Sequence, residues 1–398
     1  MAKKQKLHAT TPTLAPRIVK KSITNTRRDI ADWGNARRVA QLADTPKFYL
    51  LQDLYNDIQI DALLTSQINN RHEATISRPF ELVDAEGNVD DNLTAQLREM
   101  PIMQDLIKEI LNSELFGVSL VEFLVADNQL QMIPINRRNL DPTNGRFYTD
   151  ATGNTFIEYR ELREYGRTVL EFNSGHLGLL NKVVPHVLFK KFAQSCWSEL
   201  CEIYGIPPRY VKTNTQDEAM LSRAEDMLRE MGAAASFVID TTEEFSFAQG
   251  VSTNGDVYHN LIHLCNNEMS LVVSGAIIGQ DTENGNYSKE QAAISILDRL
   301  IASDQRMVET YMNSVVLPAF MGNNWFPTKE VKFRFANVED SDKLWEMVKE
   351  ILPYKEVDSK WMEEKFGIPV SDKEYGMGGT LTARIASTLA EREHDFFG

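Results

Sequence analysis

VLFKKFAQSCWSELCEIYGIPPR, residues 187–209, is the most informative stretch of this chain. Its apolar side chains recur every three or four residues, the spacing of one helix face, at Leu188, Phe192, Cys196, Leu200 and Ile203. The opposite face is polar and carries Lys191, Gln194, Ser195, Ser198 and Glu202. Gly205-Ile-Pro-Pro stops the helix, because proline lacks a backbone N–H and glycine suits a helix end. The stretch therefore predicts one amphipathic helix over 187–204.

A second long helix is predicted from Asp256 to Ile278, with Asn254 or Asp256 as N-cap and Gly279 as the stop. One side is apolar and comprises Tyr258, Leu261, Ile262, Cys265, Met269, Val272, Val273 and Ala276. The opposite side is polar but almost uncharged and comprises His259, His263, Asn266, Asn267, Ser270 and Ser274. At about 1.5 Å per residue this rod is roughly 35 Å long. A neutral polar face of that length suits the lining of a channel for a polyanion, since charged side chains would trap or repel it.

Shorter elements lie between and after these helices. Residues 206–254 predict a βαββ arrangement, with strands at 209–212, 236–241 and 245–248 and a charged helix at 216–231. Beyond a polar loop, residues 289 to about 317 predict a long helix and 331–335 a strand. Residues 338–398 predict further helices, broken at Pro353 and Pro369.

The first half of the chain predicts an α+β module over about residues 45–180. Apolar residues at helical spacing occupy 46–71 and 92–115, the second run being interrupted near Pro101 and stopped by Gly117. Alternation over 77–83 predicts a strand, and a hairpin is predicted around Asp127-Asn128. Short strands are predicted near Phe147, at 156–159 and at 169–172. The fold class predicted for the whole chain is α+β.

Charge is distributed unevenly along the chain, whose net charge is −15. Of the 42 Lys and Arg residues ten lie in residues 1–40, against two of the 57 acidic residues, so this segment carries +8 and the remainder −23. Its low apolar content predicts a flexible basic arm over residues 1–44, which either contacts nucleic acid or an acidic partner or has no dedicated ligand. The acidic body argues against a protein that grips DNA phosphates over a broad surface.

Composition gives no sign of secretion or of membrane association. The basic start of the chain is not followed by the apolar segment of a signal peptide, and no run approaches the roughly 20 apolar residues of a membrane helix. The three cysteines, Cys196, Cys201 and Cys265, form no CxxC pair and no even framework. This pattern is typical of synthesis in a reducing cytoplasm.

Catalytic chemistry has little support in the sequence. His259 and His263 are four residues apart, a spacing that lets two imidazoles share a metal, but only Glu268 or Cys265 remains as a third ligand. Gly275-Ala-Ile-Ile-Gly follows a helix rather than a strand, so it is no dinucleotide fingerprint. No P-loop and no GxSxG nucleophile motif occurs. We therefore expect no metal, no cofactor and no enzymatic activity.

Five segments, taken in order, carry a resemblance to a known family. They are Phe189–Arg209, Gly232-Ala-Ala-Ala-Ser-Phe-Val-Ile, Glu244-Phe-Ser-Phe, Tyr258–Ser270 and Gly279–Ser288. Together they resemble the Mu-like portal family of bacteriophages, clearly over about 185–320, moderately over 45–180 and weakly at both ends. One departure is the loop after Gly279, which reads Glu283-Asn-Gly-Asn-Tyr-Ser rather than a run of glycines.

The resemblance implies a portal fold with named parts. After the arm come an α/β wing (45–185), a first stem helix (186–205), a small α/β clip (206–254), a second stem helix (255–279), a tunnel loop (280–288), a long helix with a return to the wing (289–337) and a helical crown (338–398). It also implies a ring of about twelve copies at one capsid vertex, through which double-stranded DNA is packaged and ejected. The implied partners are the major capsid protein, the terminase large subunit and a neck or tail adaptor. The protein would be made in the host bacterial cytoplasm and become part of the virion, and ATP hydrolysis would belong to the separate terminase.

Two sets of residues are predicted to face DNA. One is the polar side of the second long helix, and the other is the tunnel loop with Asp281, Glu283, Asn284, Gly285, Asn286, Tyr287, Ser288 and Lys289. The loop offers neutral hydrogen-bonding groups and one lysine per copy, opposed by two acids, which predicts weak contact with phosphates. An ordinary surface loop without a ligand is the alternative.

Two other classes of protein are weighed against the portal. A nucleic-acid-processing enzyme would need a metal or nucleotide site that the sequence does not show. A structural ring component of a phage tail or contractile particle would also be acidic and ring-forming. The paired long helices around a small insert favour the portal.

Overall fold

The computed structural model describes residues 30–205, 209–214, 216–230, 236–240, 255–277, 287–336, 341–355 and 357–367. The chain divides into two compact units, Met1–Ala336 and Asn337–Gly398. The helices are α1 (Ile30–Ala40), α2 (Tyr49–Ile58), α3 (Ala62–Ile76), α4 (Asp91–Arg98), α5 (Met103–Phe116), α6 (Leu180–Gly205), α7 (Glu218–Glu230), α8 (Asp256–Ser274), α9 (Tyr287–Tyr311), α10 (Leu317–Gly322), α11 (Ser341–Ile351) and α12 (Ser359–Phe366). The strands are β1 (Phe80–Val83), β2 (Val118–Ala126), β3 (Gln129–Pro134), β4 (Leu140–Asp141), β5 (Arg146–Tyr148), β6 (Phe156–Glu158), β7 (Val169–Asn173), β8 (Arg209–Thr213), β9 (Ser236–Asp240) and β10 (Lys332–Phe335). The mixture of helices and sheets confirms the α+β class.

Local sequence signals set the first helices. The helical spacing over 46–71 is realised as two helices, α2 and α3, because Asp61 caps α3 by accepting a hydrogen bond from the N–H of Leu63 at 3.1 Å. The predicted interruption near Pro101 separates α4 from α5. The predicted stop at Gly117 is confirmed, with a left-handed φ of 94°.

The central sheet has the order β3-β2-β7 and is antiparallel. Asp127 and Asn128 join β2 to β3 with φ values of 51° and 58°, the backbone that a tight two-residue hairpin favours, so the predicted hairpin is confirmed. All of β2 except Ala126 is buried. The predicted short strands after the hairpin are present as β5, β6 and β7, of which β5 and β6 form a second small sheet with β4.

The end of the first unit returns to its beginning. α9 continues through a π-helical segment, Met312–Val316, into α10. β10 then pairs antiparallel with β1, with Phe335 opposite Phe80. The ring of Phe320 in α10 meets that of Phe123 in β2 edge-to-face, with centroids 5.4 Å apart. One apolar core therefore joins chain segments that are more than 200 residues apart.

The predicted flexible arm over residues 1–44 is wrong at its C-terminal end, since residues 30–40 form α1. Ala36 and Ala40 are only 1% and 2% exposed. The indole N–H of Trp33 donates to the side-chain oxygen of Asn181 at 3.0 Å. These residues share one side of a helix, a pattern that the basic charge of the segment obscured. Residues 1–29 lie outside the described residues.

The insert between α6 and α8 contains a parallel βαβ unit. β8 and β9 pair in parallel, with Arg209 opposite Ser236, and α7 connects them. The predicted strand at 245–248 lies outside the described residues.

In the second unit the predicted helices are present as α11 and α12, separated near Pro353 as expected. The ring of Phe366 lies 5.3 Å from that of Trp345 and 6.2 Å from that of Trp361. Residues 368–398, with Pro369, lie outside the described part of the chain.

Candidate functional site

Helices α6 and α8 pack along each other in opposite directions. At one end the ring of Trp197 in α6 lies edge-to-face with that of His259 in α8, 6.2 Å away. At the other end Val187 of α6 shares a buried cluster with Met269 and Val273 of α8. These are the two long helices that the sequence predicts, and they position the predicted channel-facing residues.

The predicted apolar face of α6 is only partly the buried one. The helix begins at Leu180, seven residues before its predicted start. Ala193 is fully buried, whereas Phe192 is 55% exposed. Lys190 explains the difference, because its ammonium is buried in an ion pair with Asp61 at 2.7 Å and so occupies an inward position. The sequence alone does not show that this lysine is buried, because its partner Asp61 is distant along the chain.

Helix α8 is shorter than predicted and has different ends. Its N-cap is Gly255 rather than Asn254 or Asp256, and it stops at Gly275 rather than Gly279. Gly275 has a φ of 70°, and a Cβ there would lie 2.9 Å from the side chain of Ile296, so only glycine fits. The 19-residue helix is therefore about 28 Å long.

The predicted polar side of α8 divides into two groups. His259 and His263 are exposed, and Asn266 and Asn267 are half-buried. The side-chain nitrogen of Asn267 lies 3.2 Å from Nδ1 of His263.

Ser270 and Ser274 are 0% and 2% exposed, which corrects their assignment to the channel. Ser274 donates to the side-chain oxygen of Gln67 in α3. On the side that carries these two serines, the C-terminal half of α8 is covered by the subunit itself, since α8 packs against α3 and α9.

An apolar strip on α8 was missed by the sequence analysis. Val257, Leu264 and Leu271 are 72%, 55% and 45% exposed. They follow one another at seven-residue intervals, close to two helical turns, so they lie on one side. This seven-residue spacing of apolar side chains is the sequence signal by which the strip could have been found.

A buried charge network fixes the C-terminal end of α8. Arg71 in α3 makes two hydrogen bonds to the carboxylate of Asp304 in α9, at 2.6 and 2.8 Å. Its third nitrogen donates to the carbonyl of Val273 at 2.8 Å. Burial opposes the charge of Arg71, but the hydrogen bonds and charge of Asp304 outweigh it and raise its pKa. Three helices are thus joined where α8 ends.

The predicted tunnel loop falls mostly outside the described residues, which resume at residue 287. Asp281, Glu283, Asn284, Gly285 and Asn286 lie in the part that is not described. Tyr287, Ser288 and Lys289 begin α9, so this helix starts two residues earlier than predicted.

Within the described residues no group of three His, Cys, Asp or Glu side chains is arranged to hold a metal ion. None of the helices in these residues is long and apolar enough to cross a membrane.

Comparison with known proteins identifies the family. Residues 52–368, about four-fifths of the chain, match the family model described as portal protein of Mu bacteriophage. The chain belongs to this portal family. No curated protein matches the chain.

A solved structure shares the fold of this chain. The chain is similar to a chain from the neck of an empty gene transfer agent particle, computed with C6 symmetry, with a TM-score of 0.50 and 13% sequence identity. The similarity covers 91% of this chain and 97% of the other. At that identity the likeness shows the fold alone.

Portal-family membership gives the coarse function. Portal proteins are structural rather than enzymatic, and they form homo-oligomeric rings in the virion at the connection of head and tail.

Proposed function

We propose that this portal protein forms a ring of about twelve copies at one capsid vertex. Double-stranded DNA passes through the ring during packaging and ejection. The ring contacts the major capsid protein and docks the terminase large subunit and, later, the neck or tail adaptor. The subunits are made in the host cytoplasm.

The chemistry of the accessible polar side of α8 carries this proposal. His259 and His263 are exposed there, and Asn266 and Asn267 are half-buried. Repeated in every copy, these four residues would form a band of hydrogen-bonding groups without lysine, with the exposed Asp256 at the N-terminal end of the same side. Such a band contacts phosphates without the tight binding that displaces many counterions, so DNA can move past it.

The parts of the portal follow from the same arrangement. In this proposal α6 and α8 are the stem, and the β8-α7-β9 unit belongs to the clip. α7 exposes Met220 and Met227, which are 50% and 47% accessible. Flexible methionine side chains adapt to protein surfaces, which suits a docking element. The wing, the return after residue 289 and the crown from 338 keep their predicted bounds.

The tunnel loop remains part of the proposal. The helices on either side of it are tied together by Arg71, which bonds Val273 near the end of α8 and Asp304 in α9. In this proposal the loop extends from the fixed end of α8 and presents its polar residues to the channel.

The first experiment is electron microscopy of the purified protein. We expect closed rings with an axial hole, which join heads in assembly reactions. Rings that stack into tubes or join only tails would support the alternative tail component, and a compact monomer at every concentration and salt would contradict both.

The second experiment tests the channel. His263→Lys adds a positive charge to each copy, so we expect intact rings in which DNA packaging or ejection is slowed several-fold. His263→Gln places an uncharged polar group at the same position and is the matched control, expected to behave like the parent. Equal rates for all three proteins would contradict a channel-facing α8.

The third experiment tests the loop. Replacing residues 283–286 with a Gly/Ser segment of equal length leaves the start of α9 untouched. We expect intact rings with impaired DNA packaging or retention in heads. Particles that package and retain full-length DNA like the parent would show that the loop has no such role.

A further inference from the structure

Each of the packed helices α6 and α8 leaves apolar side chains uncovered. On α8 they are Val257, Leu264 and Leu271, between 45% and 72% exposed. On α6 they are Phe189 and Phe192, 45% and 55% exposed. We name these the α8 strip and the α6 strip. Apolar groups concentrated on two neighbouring elements mark a contact surface rather than ordinary surface scatter.

Within one copy the two strips cannot cover each other. α6 shares its buried cluster with α8 through Val183 and Met269, among others. At about 100° per residue, Phe192 lies about 180° around α6 from Val183. Leu264 likewise lies about 140° around α8 from Met269. Both strips point away from the contact between the two helices, so neither strip covers the other within one copy.

We propose that the α8 strip of one copy packs against the α6 strip of the next copy around the ring, an inference that rests on the proposed function. A ring needs two different surfaces on each subunit, one for each neighbour, whereas a two-fold dimer uses a single self-complementary surface. This chain carries two distinct apolar strips on adjacent helices. Their occupant is therefore a second copy of the chain.

The α6 strip and Leu264, the middle residue of the α8 strip, lie at the same height along the two packed helices. The charge of Lys190 acts on Cys265, and Trp197 contacts His259, so neighbouring residues of α6 and α8 can be aligned. Phe189 and Phe192 lie at about the level of residue 264. Rotation about an axis parallel to the helices preserves that level, so Leu264 meets the two rings of the next copy without sliding.

The contact leaves the predicted channel side free. His263 lies about 100° around α8 from Leu264, and His259 lies further around in the same direction. Both stay accessible when the α8 strip is covered. The pairing thus assigns the two accessible sides of α8 to different roles, one to the neighbouring copy and one to the channel.

Opposite charges test the pairing directly. Phe192→Lys or Leu264→Glu alone places an unpaired charge in the contact, and we expect each to raise the protein concentration needed for ring formation at least tenfold. Together they form an ion pair across the contact and should restore rings in part. Gln194→Lys and Ser198→Glu place the same charges on exposed positions elsewhere on α6 and serve as matched controls that keep the ring.

Cross-linking gives an independent answer that does not need the charge variants to assemble. Phe192→Cys with Leu264→Cys should oxidise in intact rings to a ladder of covalently joined copies, which the parent, with its three native cysteines, does not give. Rings that form normally in both single charge variants, or double-cysteine rings without a ladder, would overturn the contact while leaving the portal function standing. Absence of any ring from the parent would overturn both.

Discussion

The sheet around β2 and the helix pair α6–α8 differ in how far the subunit itself covers their apolar residues. Almost every residue of β2 is buried within the subunit, covered by α5 and by the returning α10. The pair α6–α8 buries Ala193 and Met269 completely but leaves Phe192 and Leu264 more than half exposed. The first region is complete in one copy, and the second is complete only in an assembly. Stability of the subunit and formation of the ring should therefore depend on different residues.

The largest expected effect separates the two regions. Phe320→Ala opens a cavity beside Phe123 and Trp325, which its ring contacts, and should lower the free energy of unfolding by about 4 kcal/mol. Leu264→Ala, its counterpart on the α8 strip, should change it by less than about 0.5 kcal/mol. Urea unfolding of subunits kept below the concentration of assembly measures both. Similar losses of unfolding free energy for the two variants would contradict this difference between the two regions.

The next effect concerns the network that joins α8 to α3 and α9. Arg71→Met strands the buried carboxylate of Asp304 and should cost about 3 kcal/mol of stability. The double variant with Asp304→Leu removes both charges and should recover at least half of that loss. Thermal or urea unfolding of the single and double variants gives the coupling, and strictly additive losses would show that the pair is not coupled.

A pH dependence should follow from His72, which lies beside Arg71. Burial, with the charges of Arg71 and Lys108, lowers the pKa of His72 from 6.5 to about 4. The unfolded chain therefore takes up the proton first, so the stability present above pH 6.5 declines as the pH falls toward 4 and then levels. The decline is about 3 kcal/mol. His72→Gln should show a flatter unfolding profile across this window; an unchanged slope would exclude His72 as the cause.

The smallest of these effects concerns α1. Removing residues 1–29 should leave the unfolding free energy unchanged, as expected for a basic arm. Removing residues 1–40 deletes Trp33, Ala36 and Ala40 from the core and should lower it by about 2 kcal/mol. Matched unfolding curves of the two truncations test this, and identical stabilities would mean that α1 contributes nothing to the subunit.

Sequence reasoning succeeded where a local signal suffices. The turn at Asp127-Asn128, the stop at Gly117 and the break near Pro101 each depend on the backbone preferences of one or two residues. The β8-α7-β9 unit was visible from the change in hydrophobic period along the chain. Of the candidate channel residues, His259 and His263 are exposed in the subunit, and their place in a channel stays a prediction.

It failed where a distant partner decides. Lys190 is inward because Asp61 receives its charge, and Ser274 is buried because Gln67 lies opposite. α8 stops at Gly275 rather than at Gly279. At Gly275 the side chains of Ile296 and Leu300 leave no room for a Cβ. None of these contacts joins residues that are close in sequence.

The sequence by itself determined the order of helices and strands, the α+β class and the resemblance to the Mu-like portal family, because hydrophobic period and turn chemistry are local properties. Only the tertiary structure decided which side of each long helix is covered. A periodic pattern shows that a helix has an apolar side, but it does not show whether that side meets its own subunit or the next one. Phe192 and Leu264 are apolar and outward, whereas Lys190 and Ser274 are polar and inward, since burial depends on what lies opposite.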